Sequence, residues 1–151
     1  MSSPVTTPAA SDQILSTDAA LSMPPIVFPY GLIGCDSWRQ FVLLTDDEEE
    51  LPVAYLQSVD EPSVRLLVTD PRLLVESYTV DLSDEDRASL ELSPSETPVL
   101  YCTLTVGDDG AITANLLGPL AINSRSRLGR QVVLSDTTYS TRHFVAKLEG
   151  E

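Results

Sequence analysis

Short runs of alternating apolar and polar residues follow one another along this chain, and glycine, proline or acidic residues separate them. Runs of about four to eight residues with this alternation predict β-strands rather than helices. The clearest is Val99–Val106, in which Leu100, Cys102, Leu104 and Val106 face one side of the strand. The opposite face is also fairly apolar, so the pattern predicts a central strand.

Further strands are predicted at Ile26–Phe28, Phe41–Leu44, Val53–Gln57, Val64–Thr69, Glu76–Val80, Ala111–Leu116, Leu120–Ile122 and Arg130–Leu134. Asp108-Asp109-Gly110 predicts a tight hairpin turn after Val106, because Asp-Gly supplies the positive φ values that such turns need. Gly118-Pro119 predicts a bulge, corner or edge, since proline cannot donate to a β-ladder. Gly129 is expected to relax the turn between the last two strands.

One helix is predicted, at Asp84–Glu91. Ser83 is a favourable N-cap, and Asp86 at the third helical position completes a near capping box. The acidic first turn suits the positive end of the helix dipole, and Pro94 prevents continuation. One helix among many short strands predicts an all-β protein, a compact β-barrel-like domain of short antiparallel strands with one short helix.

The chain has 151 residues, enough for one domain with its own core. Residues 1–24 are mostly Ser, Thr, Ala and Pro and predict a disordered N-terminal extension. The barrel domain is expected over 25–147, followed by a C-terminal tail at 148–151. No apolar run approaches the length of about 20 residues that spans a bilayer, and the N-terminus lacks the basic and apolar regions of a secretory signal. We therefore expect a cytoplasmic protein.

The net charge of −14 is unevenly distributed. Residues 1–110 carry 20 acidic and 4 basic side chains, whereas 111–151 carry 3 acidic and 5 basic ones. An acidic body repels phosphate backbones, which disfavours direct nucleic-acid binding and favours a basic protein partner. We expect a monomer with protein partners, no nucleic acid and no membrane.

The sequence offers little catalytic chemistry. His143 is the one histidine, no Gly-x-Ser-x-Gly elbow or glycine-rich phosphate loop is present, and Cys35 and Cys102 lack the neighbours of a zinc site. We predict no catalytic, cofactor-binding or metal-binding residue. The alternative is a small β-barrel enzyme or ligand-binding domain whose interior pocket would join His143 with Asp70 or Asp136. A purely structural β-module is a third possibility.

Gln57, Asn115 and Asn123 interrupt apolar strands. These amides either satisfy backbone groups at sheet corners or line a groove in which a partner is held. Arg125, Arg127 and Arg130 likewise either pair with the acidic body or contact a partner. The sequence leaves both questions open.

Several blocks resemble the FliW family of flagellar assembly factors, in the same order along the chain. They are Phe28–Gly34, Tyr55–Ser58, Val68–Pro71, Leu82–Asp86, Thr113–Asn123 with Ser124–Leu134, and Tyr139–His143. The resemblance spans about Ile26 to His143. It implies a compact β-barrel-like fold and a non-enzymatic role in the cytoplasm. Proteins of this family are understood to bind flagellin before export and to antagonise CsrA, an RNA-binding repressor of flagellin translation.

The resemblance and the residue pattern together give two sets of candidate residues. The flagellin-binding candidates are Tyr55, Gln57, Asn115, Leu116, Leu117, Pro119, Asn123 and Arg130. The candidates for electrostatic steering of CsrA are Asp46, Asp47, Glu48, Glu49, Glu50, Asp60, Glu61, Asp84, Glu85 and Asp86.

Overall fold

The computed structural model describes residues 24–45, 53–135 and 138–147, which contain nine strands, one α-helix and one 3-10 turn. The strands are β1 (Ile26–Val27), β2 (Gln40–Thr45), β3 (Val53–Ser58), β4 (Arg65–Thr69), β5 (Val99–Val106), β6 (Ala111–Ala114), β7 (Leu120–Asn123), β8 (Leu128–Gln131) and β9 (His143–Lys147). The helix α1 is Asp84–Ser89, and the 3-10 turn is Pro71–Leu73. The predicted tail at 148–151 and, apart from Pro24, the predicted N-terminal extension lie outside the described residues.

Seven strands close into a barrel in the order β4-β3-β2-β1-β8-β7-β5, and pairing between β4 and β5 completes the ring. The predicted all-β barrel is therefore confirmed. One pair, β1 with β8, is parallel, with Val27 opposite Leu128. An antiparallel arrangement requires neighbouring strands to alternate in direction, and a ring with an odd number of strands cannot alternate all the way round. β6 and β9 extend the sheet beyond the ring.

Apolar side chains fill the barrel interior. Phe28 and Phe41 are fully buried and meet edge to face, with ring centroids 5.6 Å apart. Gly129 lies in β8 directly against Phe28: a Cβ atom at Gly129 would come 2.6 Å from Cζ of Phe28. The prediction that Gly129 relaxes a turn is therefore wrong. The turn is at Ser124–Arg127, and β8 begins two residues earlier than predicted because Asn123 already pairs with Leu128.

The strand β5 occupies the centre of the sheet, as predicted, because β4 lies along one of its edges and β6 and β7 along the other. Tyr101 points into the barrel, whereas Cys102 belongs to a second apolar cluster outside it. The segment after the 3-10 turn covers this outer cluster. The strand predicted at Glu76–Val80 is absent because Tyr78 is instead buried in the cover, where its hydroxyl donates to the carbonyl oxygen of Leu116 at 2.6 Å.

The helix α1 has the predicted capping box. Oγ of Ser83 accepts from the Asp86 amide at 3.0 Å, and an Asp86 carboxylate oxygen accepts from the Ser83 amide at 3.2 Å. The helix ends at Ser89, two residues before the predicted end, and Leu90 is fully buried in a third apolar cluster beneath it. Within the described ranges, no helix is both long and apolar enough to span a bilayer.

Candidate protein-binding surface

The amide of Asn115 organises the corner between β6 and β7. Its Oδ1 accepts from the backbone amides of Leu117 at 3.1 Å and Gly118 at 2.9 Å, which forms an Asx turn. The chain can therefore leave β6 and re-enter the sheet as β7 although Pro119 offers no donor. Asn115 is half-buried, so its role in this corner is compatible with partial contact from outside.

Asn123 is buried and connects three segments of the chain. Its Nδ2 donates to the carbonyl oxygens of Leu90 at 2.8 Å and Glu91 at 3.3 Å, and its Oδ1 accepts from the Arg125 amide at 3.0 Å. The side chain fastens the end of α1 to the β7–β8 turn. Its buried amide is consumed by these bonds, and it does not face a groove.

Gln57 stabilises the β3–β4 connection. Its Nε2 donates to the carbonyl oxygens of Pro62 at 2.9 Å and Val64 at 3.1 Å, while Oε1 accepts from Nε of Arg65 at 3.0 Å. The Arg65 guanidinium also stacks over the ring of Tyr55, 5.4 Å from its centroid. These two candidates therefore lie together on the β3–β4 hairpin, where they support local structure.

The three apolar candidates at the β6–β7 corner differ in exposure. Leu116 and Pro119 are fully buried, so neither side chain is available to a partner. Leu117 is half-buried and lines a surface depression with Ile33 and Val133.

The arginines of the β7–β8 region pair within the molecule. Arg125 binds Glu96 at 2.8 Å, and Arg127 donates to the carbonyl oxygen of Pro24 at 3.0 Å. Arg130 binds Asp86 at 2.8 Å and lies over the ring of Tyr30, 5.1 Å from its centroid. The sequence left intramolecular pairing and partner contact open, and the structure places all three guanidinium groups against the chain itself.

The acidic candidates also differ in their surroundings. Oδ2 of Asp60 accepts from the amides of Arg39 at 3.0 Å and Gln40 at 2.9 Å, so this carboxylate holds the start of β2. Asp86 is engaged by Ser83 and Arg130, whereas Glu61, Asp84 and Glu85 are exposed. The five residues Asp46, Asp47, Glu48, Glu49 and Glu50 lie outside the described residues.

The largest exposed apolar side chains near the candidates belong to residues outside the two predicted sets. Three depressions, of about 250, 360 and 190 Å³, share Ile33 and Gln131 in their walls. We call the area around them the Ile33 surface and define it by Tyr30, Ile33, Val106, Leu117, Gln131 and Val133. Ile33, Tyr30 and Val133 are largely exposed.

Hydrogen bonds hold the β1–β2 loop at the centre of the Ile33 surface. The amide of Leu32 donates to the carbonyl oxygen of Cys35 at 3.1 Å, and the reverse bond is 2.8 Å. Gly31 has a φ of +68° and lies so close to Asp36 that a methyl group would overlap its backbone. The loop is thus a tight, braced turn that presents Ile33 outward.

Gln131 connects this loop to the β6–β7 corner. Its Oε1 accepts from the Ile33 amide at 2.8 Å, and its Nε2 donates to the carbonyl oxygen of Gly118 at 2.9 Å. One sequence signal could have identified the loop: Leu32 and Ile33 stand between Gly31 and Gly34, and this stretch follows Pro29-Tyr30. Large aliphatic residues in such a turn are either buried or exposed to solvent. Leu32 is buried and Ile33 is exposed.

The catalytic alternative receives no support from the described residues. Asp70 caps the 3-10 turn by accepting from the Arg72 amide at 2.9 Å and pairs with the Arg72 guanidinium at 3.2 Å. His143 lies in β9, opposite Ala114. Asp136 lies outside the described residues. In the ranges that the structure covers, no three His, Cys, Asp or Glu side chains are grouped to hold a metal ion.

The fold and surface define a small closed β-barrel with an exposed apolar area built around a rigid loop. The chain belongs to the FliW protein family, whose model matches residues 10–145. The flagellar assembly factor FliW of Natranaerobius thermophilus is 38% identical over 120 residues, covering 78% of this chain and 79% of that protein. The one from Geobacillus kaustophilus is 38% identical over 117 residues, covering 77% and 80%.

The structural comparison agrees. A crystal structure of the flagellar assembly factor FliW superimposes with a TM-score of 0.71 at 36% sequence identity, covering 80% of this chain and 84% of that one. The family resemblance drawn from the sequence blocks is therefore confirmed, and so is the fold.

Proposed function

We propose that this protein is a cytoplasmic flagellar assembly factor that acts by binding other proteins. It binds flagellin and antagonises CsrA, so that synthesis of flagellin follows its export. The observation that carries the proposal is membership in the FliW family over residues 10–145, together with relatives named flagellar assembly factors. The exposed apolar Ile33 surface on an acidic barrel supports it, because such areas on small proteins mark sites of protein contact.

The acidic charge of the molecule suits the second partner. CsrA binds RNA and must therefore offer basic surface, so an acidic protein beside it attracts CsrA and repels RNA phosphates. Among the described acidic candidates, Glu61, Asp84 and Glu85 are exposed, and Asp84 and Glu85 lie together on the first turn of α1. We assign the steering role to these residues and to the Asp46–Glu50 segment.

The binding proposal is tested by calorimetric titration of the protein with flagellin and CsrA of the same organism, separately and together. Binding to both partners, with one weakening the other, is the expected result. Binding to flagellin alone would indicate a chaperone without translational control. If folded, active preparations of both partners fail to bind, the proposed function is wrong.

The steering assignment has a separate kinetic test. Neutralising Asp84 and Glu85 with Asn and Gln should slow association with CsrA at low salt and have little effect at high salt, because screening shortens the reach of surface charge. Neutralising Asp46–Glu50 should act in the same direction. The control variant changes two other exposed acids, Glu76→Gln with Asp108→Asn. Equal slowing by the control would mean that net charge alone acts.

A further inference from the structure

The Ile33 surface is a continuous area rather than three separate depressions. Ile33 and Gln131 form part of the wall of each depression, and Asn115 is shared by two of them. The largest depression lies where β4 and β5 diverge beyond the pair Leu67–Leu104, and the β1–β2 loop forms its other side. An elongated ligand could thus follow the area from Tyr30 past Ile33 to Val106 or Val133.

The rigidity of the surface favours binding. The loop is braced by its own backbone bonds and by Gln131, and the Arg130 guanidinium lies against the ring of Tyr30, 5.1 Å from its centroid. A side chain that is already fixed loses little conformational entropy when a partner covers it. Exposed aromatic and aliphatic residues held in this way contribute most to the binding free energy where neighbouring groups exclude water from the contact.

The local charge indicates what kind of partner fits. Arg130 is neutralised by Asp86 at 2.8 Å and Glu85 at 3.6 Å. The other charged residues in the walls, Arg65 and Asp36, are opposite in sign, so the surface carries little net charge. One exposed carboxylate, that of Asp36, stands beside the loop. An apolar area of little net charge with one carboxylate at its margin complements a segment that has one apolar face and a basic residue beside it.

We propose that the Ile33 surface is the docking site for one amphipathic segment of flagellin, which rests on the proposed function above. The apolar face of the segment covers Ile33, Tyr30 and Val133, and a basic residue beside that face approaches Asp36. Flagellin is favoured over CsrA because a strongly basic partner gains more from the exposed carboxylates of α1 than from a neutral apolar area.

The first experiment compares variants that differ only in where an exposed apolar residue is lost. Ile33→Asp is matched by Leu73→Asp, since the two side chains are 61% and 59% exposed; Tyr30→Ala is matched by Phe144→Ala, at 66% and 60%. Calorimetric titration with flagellin should show at least about 30-fold weaker binding for Ile33→Asp, as expected for an interface hot spot. Leu73→Asp should remain within about threefold of the unchanged protein.

The outcomes separate the two levels of the proposal. If the unchanged protein binds no flagellin, the proposed function fails and the docking site fails with it. If it binds flagellin and Ile33→Asp binds equally well, only the docking site is wrong. Loss of CsrA binding in place of flagellin binding would assign the surface to CsrA and would also overturn the inference. Thermal unfolding of each variant verifies that the fold is intact.

Cysteine alkylation gives a second readout that needs no substitution. Cys35 is half-buried in the wall of the largest depression, whereas Cys102 is fully buried and burial raises the pKa of its thiol to about 12. Iodoacetamide should modify Cys35 and spare Cys102 in the folded protein. Saturating flagellin should slow the modification of Cys35 at least about tenfold, and saturating CsrA should not. An unchanged rate with flagellin would contradict the docking site.

Discussion

The polar side chains of the Asn115–Arg130 segment bind backbone groups and carboxylates of the same chain, whereas the Tyr30–Gly34 loop exposes the large apolar side chains of Tyr30 and Ile33 to water. Both regions contribute residues to the Ile33 surface, and Gln131 bonds to each of them. In the first region, side-chain amides and guanidinium groups form hydrogen bonds that stabilise corners, turns and helix ends. In the second, backbone hydrogen bonds stabilise the loop, and the side chains of Tyr30 and Ile33 remain available for contact with a partner.

Unusual residues in strands are therefore poor guides to a binding surface. A polar group inside an apolar strand must find a partner when it is buried, and the nearest one is often a backbone group at a turn. An apolar residue displayed on a braced loop has no such structural use. Polar residues inside apolar strands therefore indicate structural roles, whereas exposed apolar residues on a braced loop indicate a binding surface.

The largest stability effect should separate the two asparagines. Asn123→Asp replaces an Nδ2 donor to Leu90 and Glu91 with a carboxylate oxygen that faces their carbonyl oxygens. We expect a loss of about 3 kcal/mol in the free energy of unfolding, because a buried carboxylate oxygen would then face two carbonyl oxygens that have lost their donor. Asn115→Asp keeps the Oδ1 acceptor of its Asx turn and should cost less than about 0.5 kcal/mol. Urea denaturation of both variants measures the contrast, and equal losses would contradict it.

A glycine from each region gives the next effect. Gly129→Ala would place a methyl group against the Phe28 ring and should cost about 2 kcal/mol by overpacking the barrel interior. At Gly34, whose φ is +84°, a Cβ atom would meet nothing within 4 Å. Gly34→Ala should therefore cost only the strain of a left-handed backbone, about 1 kcal/mol. The same denaturation measurement compares them, and a larger loss at Gly34 would show that the loop is packed more tightly than its contacts indicate.

Gln131 links the two regions, so its variants show whether the brace matters for binding. Gln131→Ala removes the bonds to Ile33 and Gly118 and should lower stability by about 1 kcal/mol. It should also weaken flagellin binding, because the loop becomes less ordered before contact. Gln131→Glu keeps the acceptor for the Ile33 amide and should retain more of the affinity. If calorimetry finds the two variants equally weakened, the brace on Ile33 is not the cause.

The smallest effect concerns the ion pair that holds the β7–β8 turn. Hydrogen bonds from the Arg125 guanidinium and the Ser93 amide lower the pKa of Glu96 from 4.5 to about 2. The stability from this depressed pKa is present above pH 4.5 and is lost as pH falls through about 2. The difference in the free energy of unfolding between the unchanged protein and Glu96→Gln should therefore become smaller as the pH falls from 4.5 to about 2. Urea denaturation of both proteins across this interval gives the difference, and a constant difference would mean that Glu96 does not titrate there.

Much of the fold was predictable because its signals are local. The alternation in Val99–Val106 gave a strand with the bounds that the structure has, and Ser83 with Asp86 gave the helix start. The segment around Tyr78 was misjudged because its apolar residues pack against the outside of the barrel. A short apolar run does not by itself distinguish a strand from a covering segment.

The binding surface was predictable only in part. Leu117 belongs to the Ile33 surface and Arg130 lines one of its depressions, but Leu116 and Pro119 are buried and Asn123 forms hydrogen bonds within the protein. Tyr30, Ile33 and Val133 were missed because exposure of an apolar residue is set by what packs on it, which adjacent residues do not reveal.

The sequence alone was sufficient to predict the family, the all-β class, most of the strands, the helix start and the acidic balance of the molecule. These depend on short-range patterns of hydrophobicity, capping and charge, which residues close together in the chain carry. The tertiary structure decided the parallel closure of β1 on β8, the use of Asn123 and Arg130 as internal partners, and the display of Ile33. Each of these depends on residues that are far apart in the chain, and only the closing of the barrel brings them into contact.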